Sequence, residues 1–294
     1  MEKRRIIIVS LLLIFILTAG LFIYFAASGQ EESDNSKLNV AVSIGPQVEF
    51  VKAVGGDKVN VILMVPSGSD PHTYEPLPEQ LTNISKARMY AEVGSSVEFE
   101  TNYMSKIKSI NPDMLIVNCS KGIELMPNTA ENESDEVDPH VWTSPKNAKI
   151  MVENICHGLV QIDPANKDYY QKNRDQYLQK LDELDKNTTK TFKEKNTSII
   201  LVFHPAFGYY AKAYNLTMIA AMINDEEPSP QRIAMMVDTA KKNNIKVVFT
   251  EPQYNPKYMQ SVASQIGGRV VFVNDLDENY LQNMENVAKA FAGS

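Results

Sequence analysis

DPANKDYYQKNRDQYLQKLDELDKNTTKTFKEK, residues Asp163 to Lys195, decides the architecture. Asp163-Pro164 predicts a helix start, with the acid as N-cap and proline at the first helical position, where its missing N–H is not needed. Tyr170, Tyr177, Leu181, Leu184, Thr188 and Phe192 recur at spacings of three, four and seven, the mark of one buried stripe. No glycine or further proline interrupts the pattern. A helix of about 30 residues at 1.5 Å each reaches roughly 45 Å, the length of a two-lobed protein. Such a spine is stiff, so lobes joined by it should move little when a ligand arrives.

On the N-terminal side, short β-branched runs alternate with amphipathic stretches. LNVAVS (Leu38–Ser43), VNVILMV (Val59–Val65), MYAEVG (Met89–Gly94) and MLIVNC (Met114–Cys119) read as strands, with helical segments between them. A second series follows the spine: SIILVF from Ser198, then NLTMIA, KVVFT and RVVFV. Helical stretches fall at Phe207–Tyr214, Pro230–Lys242, Pro256–Gln265 and Tyr280–Ala292. Strands separated by helices predict parallel sheets. The fold class is therefore α/β: two α/β lobes with parallel sheets (38–162 and 196–294), joined by one long rigid helix (163–195).

The first 37 residues read differently. Lys3-Arg4-Arg5 precedes an apolar run from Ile6 to Ala27, long enough to span a bilayer. Residues 1–28 read as an uncleaved membrane anchor or as a signal cleaved near Ala26-Ala27-Ser28. Residues 29–37 are a polar tether, and the body is exported. No cysteine lies near this boundary to carry a lipid. Without residues 1–28 the formal charge moves from -7 to -9, since three basic residues and one acid leave. An acidic body argues against a nucleic-acid partner and suits a cationic ligand. Cys119 and Cys156 are open to two readings, a disulfide or two buried thiols.

Three of the four histidines lie just beyond a predicted strand and beside a proline: His72 in SGSDPHTYEP, His140 in VDPHVW and His204 in VFHPAFGYY. Ligands of open α/β sheets bind outside the carboxyl ends of strands, so these loops can converge on a cleft between the lobes. Neutral imidazole suits zinc, copper, nickel and iron. His157, in the helical MVENICHGLV, has no convergent partner. Glu251, ending KVVFT, meets the same strand-end rule. Tyr74, Glu75, Trp142, Phe207 and Tyr209 flank the histidines, and Glu75 or Asp138 would orient one of them. The loop ENESDEVD holds Glu131, Glu133, Asp135, Glu136 and Asp138, a solvated acidic run or an electrostatic collector of cations.

PHTYEP, DPHVW and FHPAFGYYA resemble the zinc/manganese-type (cluster A-I) solute-binding proteins of ATP-driven metal importers. The resemblance runs from about Leu38 to the C-terminus, with the three motifs in the right order about the long helix. It implies two lobes, a spine helix, a single metal in the cleft, a membrane permease as partner, a monomer, and His72, His140 and His204 as ligands. Members that look manganese-specific carry a carboxylate at the third position. His204 stands there instead, which favours Zn2+ over the alternatives Mn2+ and Fe2+. The family often supplies an aspartate after the last strand. Here RVVFVNDLDENY aligns Asn274 or Asp275 with it, and Asp275, Glu251 or water completes the shell, with Asp277 a further candidate.

Two other classes fit part of the sequence. A zinc hydrolase also uses three histidines and water, but the chain has no HExxH pair and no GxSxG, and Glu251 is its only plausible base. A surface adhesin would fit the N-terminal segment and leave the histidines unexplained. The reading is a binding component, not an enzyme.

Overall fold

The computed structural model describes residues 37–128, 137–195, 198–223 and 226–294. The anchor segment 1–28, the tether up to residue 36 and Glu131, Glu133, Asp135 and Glu136 of the acidic loop lie outside the described residues. Leu38–Ser294 is one compact unit.

The chain begins with β1 (Leu38–Val42), α1 (Gly45–Gly55), β2 (Val59–Leu63), α2 (Pro78–Ile84), β3 (Met89–Glu92), α3 (Glu98–Ile110) and β4 (Leu115–Asn118). These strands form a parallel sheet in the order β2-β1-β3-β4. Then α4 (Pro145–Ile162) leads through a 3-10 turn (Pro164–Asn166) into the spine, α5 (Lys167–Lys195). The second lobe runs β5 (Ile199–Val202), α6 (Gly208–Tyr214), β6 (Thr217–Ala220), α7 (Pro230–Lys242), β7 (Val247–Thr250), α8 (Lys257–Ile266), β8 (Arg269–Phe272) and α9 (Tyr280–Ala292). Its parallel sheet is ordered β6-β5-β7-β8 and so repeats the strand order of the first. Sequence and structure agree on all eight strands.

Central strands are covered on both faces, which is why Val40-Ala41-Val42 and Val247 to Thr250 are apolar or buried without alternation. The helix Pro230–Lys242 starts as its sequence dictates: Ser229 Oγ accepts the Arg232 N–H (3.2 Å) and Pro230 fills the first position. At the spine the expectation differs in detail. Asp163 stands before the 3-10 turn, but its carboxylate accepts from Tyr170 O–H (2.6 Å) and Asn166 Nδ2 (2.7 Å), not from a backbone N–H.

All six stripe residues of α5 are buried. Tyr177 packs on Phe50 of the first lobe and donates to Glu49 Oε1 (2.7 Å), whereas Phe192 packs on Tyr210 and Tyr214 of the second. One hydrophobic core therefore continues from the first sheet past the spine to α9 and the near face of the second sheet. A smaller core under α7 and α8 covers the other face. The lobes also touch where their strand ends meet. A Cβ on Gly45, at the start of α1, would come within 2.0 Å of the Leu276 carbonyl oxygen, so only glycine admits that approach. Cys119 and Cys156 are buried free thiols, which decides between the two readings of that pair. Among the described residues no helix is long and apolar enough to cross a membrane.

Candidate metal centre

Asp-Pro-His occurs twice, at Asp70–His72 after β2 and at Asp138–His140 after β4, and both copies fold alike. In each, Oδ1 of the aspartate accepts the backbone N–H of the histidine two residues on, at 3.0 Å for His72 and 2.9 Å for His140. These turns use the short acid to mimic a backbone turn. The rings are then held by different carboxylates. Asp138 Oδ1 lies 2.8 Å from its own His140 Nδ1, whereas His72 Nδ1 lies 2.7 Å from Glu98 Oε2. Glu98 opens α3, where a helix N-terminus favours negative charge. Burial pushes the Glu98 carboxyl up, but His72, a backbone N–H and His140 together outweigh that and leave it below the usual value.

His204 follows β5 almost directly. The segment after β6 stays paired with it: Ala221 N–H donates to Val202 O (2.9 Å) and Met222 N–H to Phe203 O (2.8 Å). This register sets Met222 Sδ 3.4 Å from His204 Nδ1. The His204 backbone N–H points at Glu251 Oε2 (3.4 Å).

The three rings converge. Their centroids are 5.5 Å (His72–His140), 5.0 Å (His72–His204) and 4.9 Å (His140–His204) apart, and one nitrogen from each lies within 4.8 Å of the others. Burial, followed by the two neighbouring imidazoles, holds His204 well below the ordinary histidine pKa, so its lone pair is available at neutral pH. With Nδ1 of His72 and His140 against carboxylates, Nε2 is the atom each ring would offer to a cation. This is a cation-accepting arrangement.

Asp275 and Glu251 lie outside that three-nitrogen group. Asp275 is buried; Gln253 Nε2 donates to its Oδ1 (3.3 Å), and Trp142 Nε1 donates to its backbone oxygen (2.8 Å). Burial holds its carboxyl above the usual value; His140, Gln253 and His72 pull the other way without cancelling it. Glu251 is raised well above the usual value, by burial and then by Asp275. Asp277 instead accepts from the Asn279 backbone (2.8 Å), and Asn274 Oδ1 accepts from Leu276 N–H (3.0 Å). Among the flanking residues Trp142 and Phe207 are buried, and Tyr74 donates to Gln80 Oε1 (2.7 Å). Tyr209 O–H donates to the Asp138 carbonyl (3.1 Å), bracing the turn that carries His140. Glu75 and His157 are exposed. Of the two partners expected from sequence, Asp138 orients a histidine. Glu98 and Met222 were not anticipated. The strand-end rule extended to β3 and β6 points toward both, but their pairing depends on spatial strand order.

Comparison with known proteins gives a consistent picture. The family described as zinc-uptake complex component A, periplasmic, matches residues 40–294. The high-affinity zinc uptake system protein ZnuA of Bacillus subtilis is 37% identical over 265 residues, 86% of this chain and 82% of its own. The manganese ABC transporter substrate-binding lipoprotein ScaA of Streptococcus gordonii is 32% identical over 273 residues, covering 90% and 86%. The crystal structure of ZnuA superposes with a TM-score of 0.83 at 34% identity, over 88% of this chain and 99% of that one.

Proposed function

The chain belongs to the zinc-uptake complex component A family, and from that premise we propose that it captures Zn2+ outside the cytoplasm and delivers it to the membrane permease of an ATP-driven importer. One observation carries the choice of cargo: three imidazoles, two from the first lobe and His204 from the second, converge on one point. A nitrogen-rich set favours zinc over manganese by ligand softness and by the Irving–Williams order. Asp275 is the fourth ligand favoured by its electrostatic coupling to His140 and His72, ahead of Glu251, which faces the His204 backbone, and of water.

Family membership supports a binding component rather than an enzyme. In this reading the protein acts as a monomer, tethered by residues 1–28 or released after cleavage there. Lobes 38–162 and 196–294 flank the spine, and docking on the permease opens the cleft. The test is elemental analysis of the purified full chain, followed by competition among zinc, manganese and iron at near-neutral pH. Zinc should be retained against both competitors. Manganese displacing bound zinc would instead favour the manganese- or iron-binding alternative of the same class.

A further inference from the structure

The three imidazoles are not held alike. Within the first lobe, His72 and His140 each face a carboxylate of that lobe, Glu98 at 2.7 Å and Asp138 at 2.8 Å. In the second lobe, His204 Nδ1 faces the thioether of Met222 at 3.4 Å. Its Nε2 is turned toward His140 Nε2, so Nδ1 is the nitrogen that carries the proton when Nε2 binds a cation. A thioether is a weak acceptor on a flexible, unbranched chain. Carboxylate partners raise the basicity of a ligating imidazole and fix its ring; a thioether does little of either. His204 Nδ1 therefore has the weakest acceptor of the three ligating rings, although the ring itself is buried against Tyr254, and His204 is the sole histidine of its lobe.

We propose that Met222 is a positioning residue that makes His204 the ligand released first, so that a departing metal leaves the second lobe before the first. The sulfur is not a ligand in this reading, because it meets the ring at Nδ1, whereas Nε2 is the atom turned toward His140. Met222 is buried, and its backbone N–H is bonded to Phe203 O, which locks it beside the histidine. On this view the asymmetry serves delivery. Separating the lobes breaks one weakly supported bond and leaves the ion on two carboxylate-backed histidines, where a permease can take it.

The proposal rests on three-histidine capture of zinc, and its test separates the two. Zinc dissociation from the full chain into excess chelator is measured for the wild type, Met222→Gln and Met222→Leu. Glutamine places an amide oxygen, a stronger acceptor of similar reach, at His204; leucine offers none. Release should be about tenfold slower for Met222→Gln, at the lower end of what partners of metal-bound histidines supply, and close to the wild-type rate for Met222→Leu. The thermal midpoint of the metal-free protein should change little, and the His204 Nδ1 proton should shift in the nitrogen-15 spectrum of the loaded Gln variant. If Met222→Leu fails to fold, the Gln comparison decides alone. Wild-type zinc binding with indistinguishable release from wild type and Met222→Gln overturns the role of Met222. A wild type that retains no zinc overturns the three-histidine reading, and Met222 with it.

Discussion

The Nε2 atoms of His140 and His204, one from each lobe, lie 3.0 Å apart. Zinc–nitrogen bonds of about 2.05 Å at a tetrahedral angle would set them about 3.3 Å apart. Loading the site therefore needs only a few tenths of an ångström at this pair, in keeping with lobes that share a core and a spine.

Protons compete directly for these lone pairs, because the ligands must be unprotonated to bind metal. Zinc affinity is expected to fall as pH drops from about 7.5 to about 5; a flat affinity over that range would contradict binding by three histidines. Metal-free stability should move the same way. His204 is depressed in the fold, so its neutral form contributes stability that is present above about 6.5 and lost as pH falls toward the folded value. His204→Gln should flatten that acid limb in denaturant unfolding curves.

Asp138, in the first lobe, is packed against the start of α6 in the second. Its backbone oxygen takes the Tyr209 hydroxyl, and a Cβ on Gly208 would meet its Oδ2 at 2.5 Å. Gly208→Ala should therefore push the carboxylate off His140 without touching a ligand. Zinc affinity is expected to fall about tenfold by titration. Glu75→Gln, at an exposed site, should leave affinity at the wild-type value.

The two buried carboxyls call for opposite expectations. Asp275→Asn should weaken zinc about tenfold, since the group coupled to His140 and His72 would lose its charge. Glu251→Gln should leave zinc affinity close to wild type and stabilise the metal-free protein at neutral pH. The sign follows from its raised folded pKa: the stability of the protonated form is present below about 4.5 and lost as pH rises toward the folded value. Isothermal titration with both variants separates them, and a larger zinc loss in Glu251→Gln would exchange their roles.

What was legible in the sequence follows from what is local. Tyr170 to Phe192 betray the spine because helical periodicity needs no knowledge of partners, and all six are buried. The loops of His72, His140 and His204 could be placed because parallel strands present their carboxyl ends to one crevice. Groups that depend on spatial order were not legible. Met222 reaches His204 only because β6 pairs with β5, and Glu98 reaches His72 because Phe99 N–H, at the start of α3, bonds to Pro71 O at 3.1 Å. The start of the spine was misjudged at one atom: Asp163 is the right residue type for a cap, but the Tyr170 hydroxyl, seven residues on, takes its carboxylate.

Glu100 offers a test of the first lobe independent of metal. It is buried at the carboxyl ends of β1 and β3, where it accepts from the Ser43 hydroxyl, from Val93 N–H (2.6 Å) and from Gly94 N–H (2.9 Å). Burial outweighs those bonds and pushes its carboxyl up to about 7. A folded value above the unfolded one means that the associated stability is fully present below about 4.5 and lost as pH rises through about 7. The difference of roughly 2.5 units corresponds to about 3 kcal/mol. Glu100→Gln removes the titration while keeping one acceptor oxygen, so its absolute stability can fall through the bond that oxygen no longer makes. The measurement is therefore a difference of slopes. Between about pH 4.5 and pH 8 the metal-free wild type should lose about 3 kcal/mol more than Glu100→Gln in paired urea unfolding curves. Parallel pH profiles for the two proteins would show that Glu100 stays ionised inside the fold.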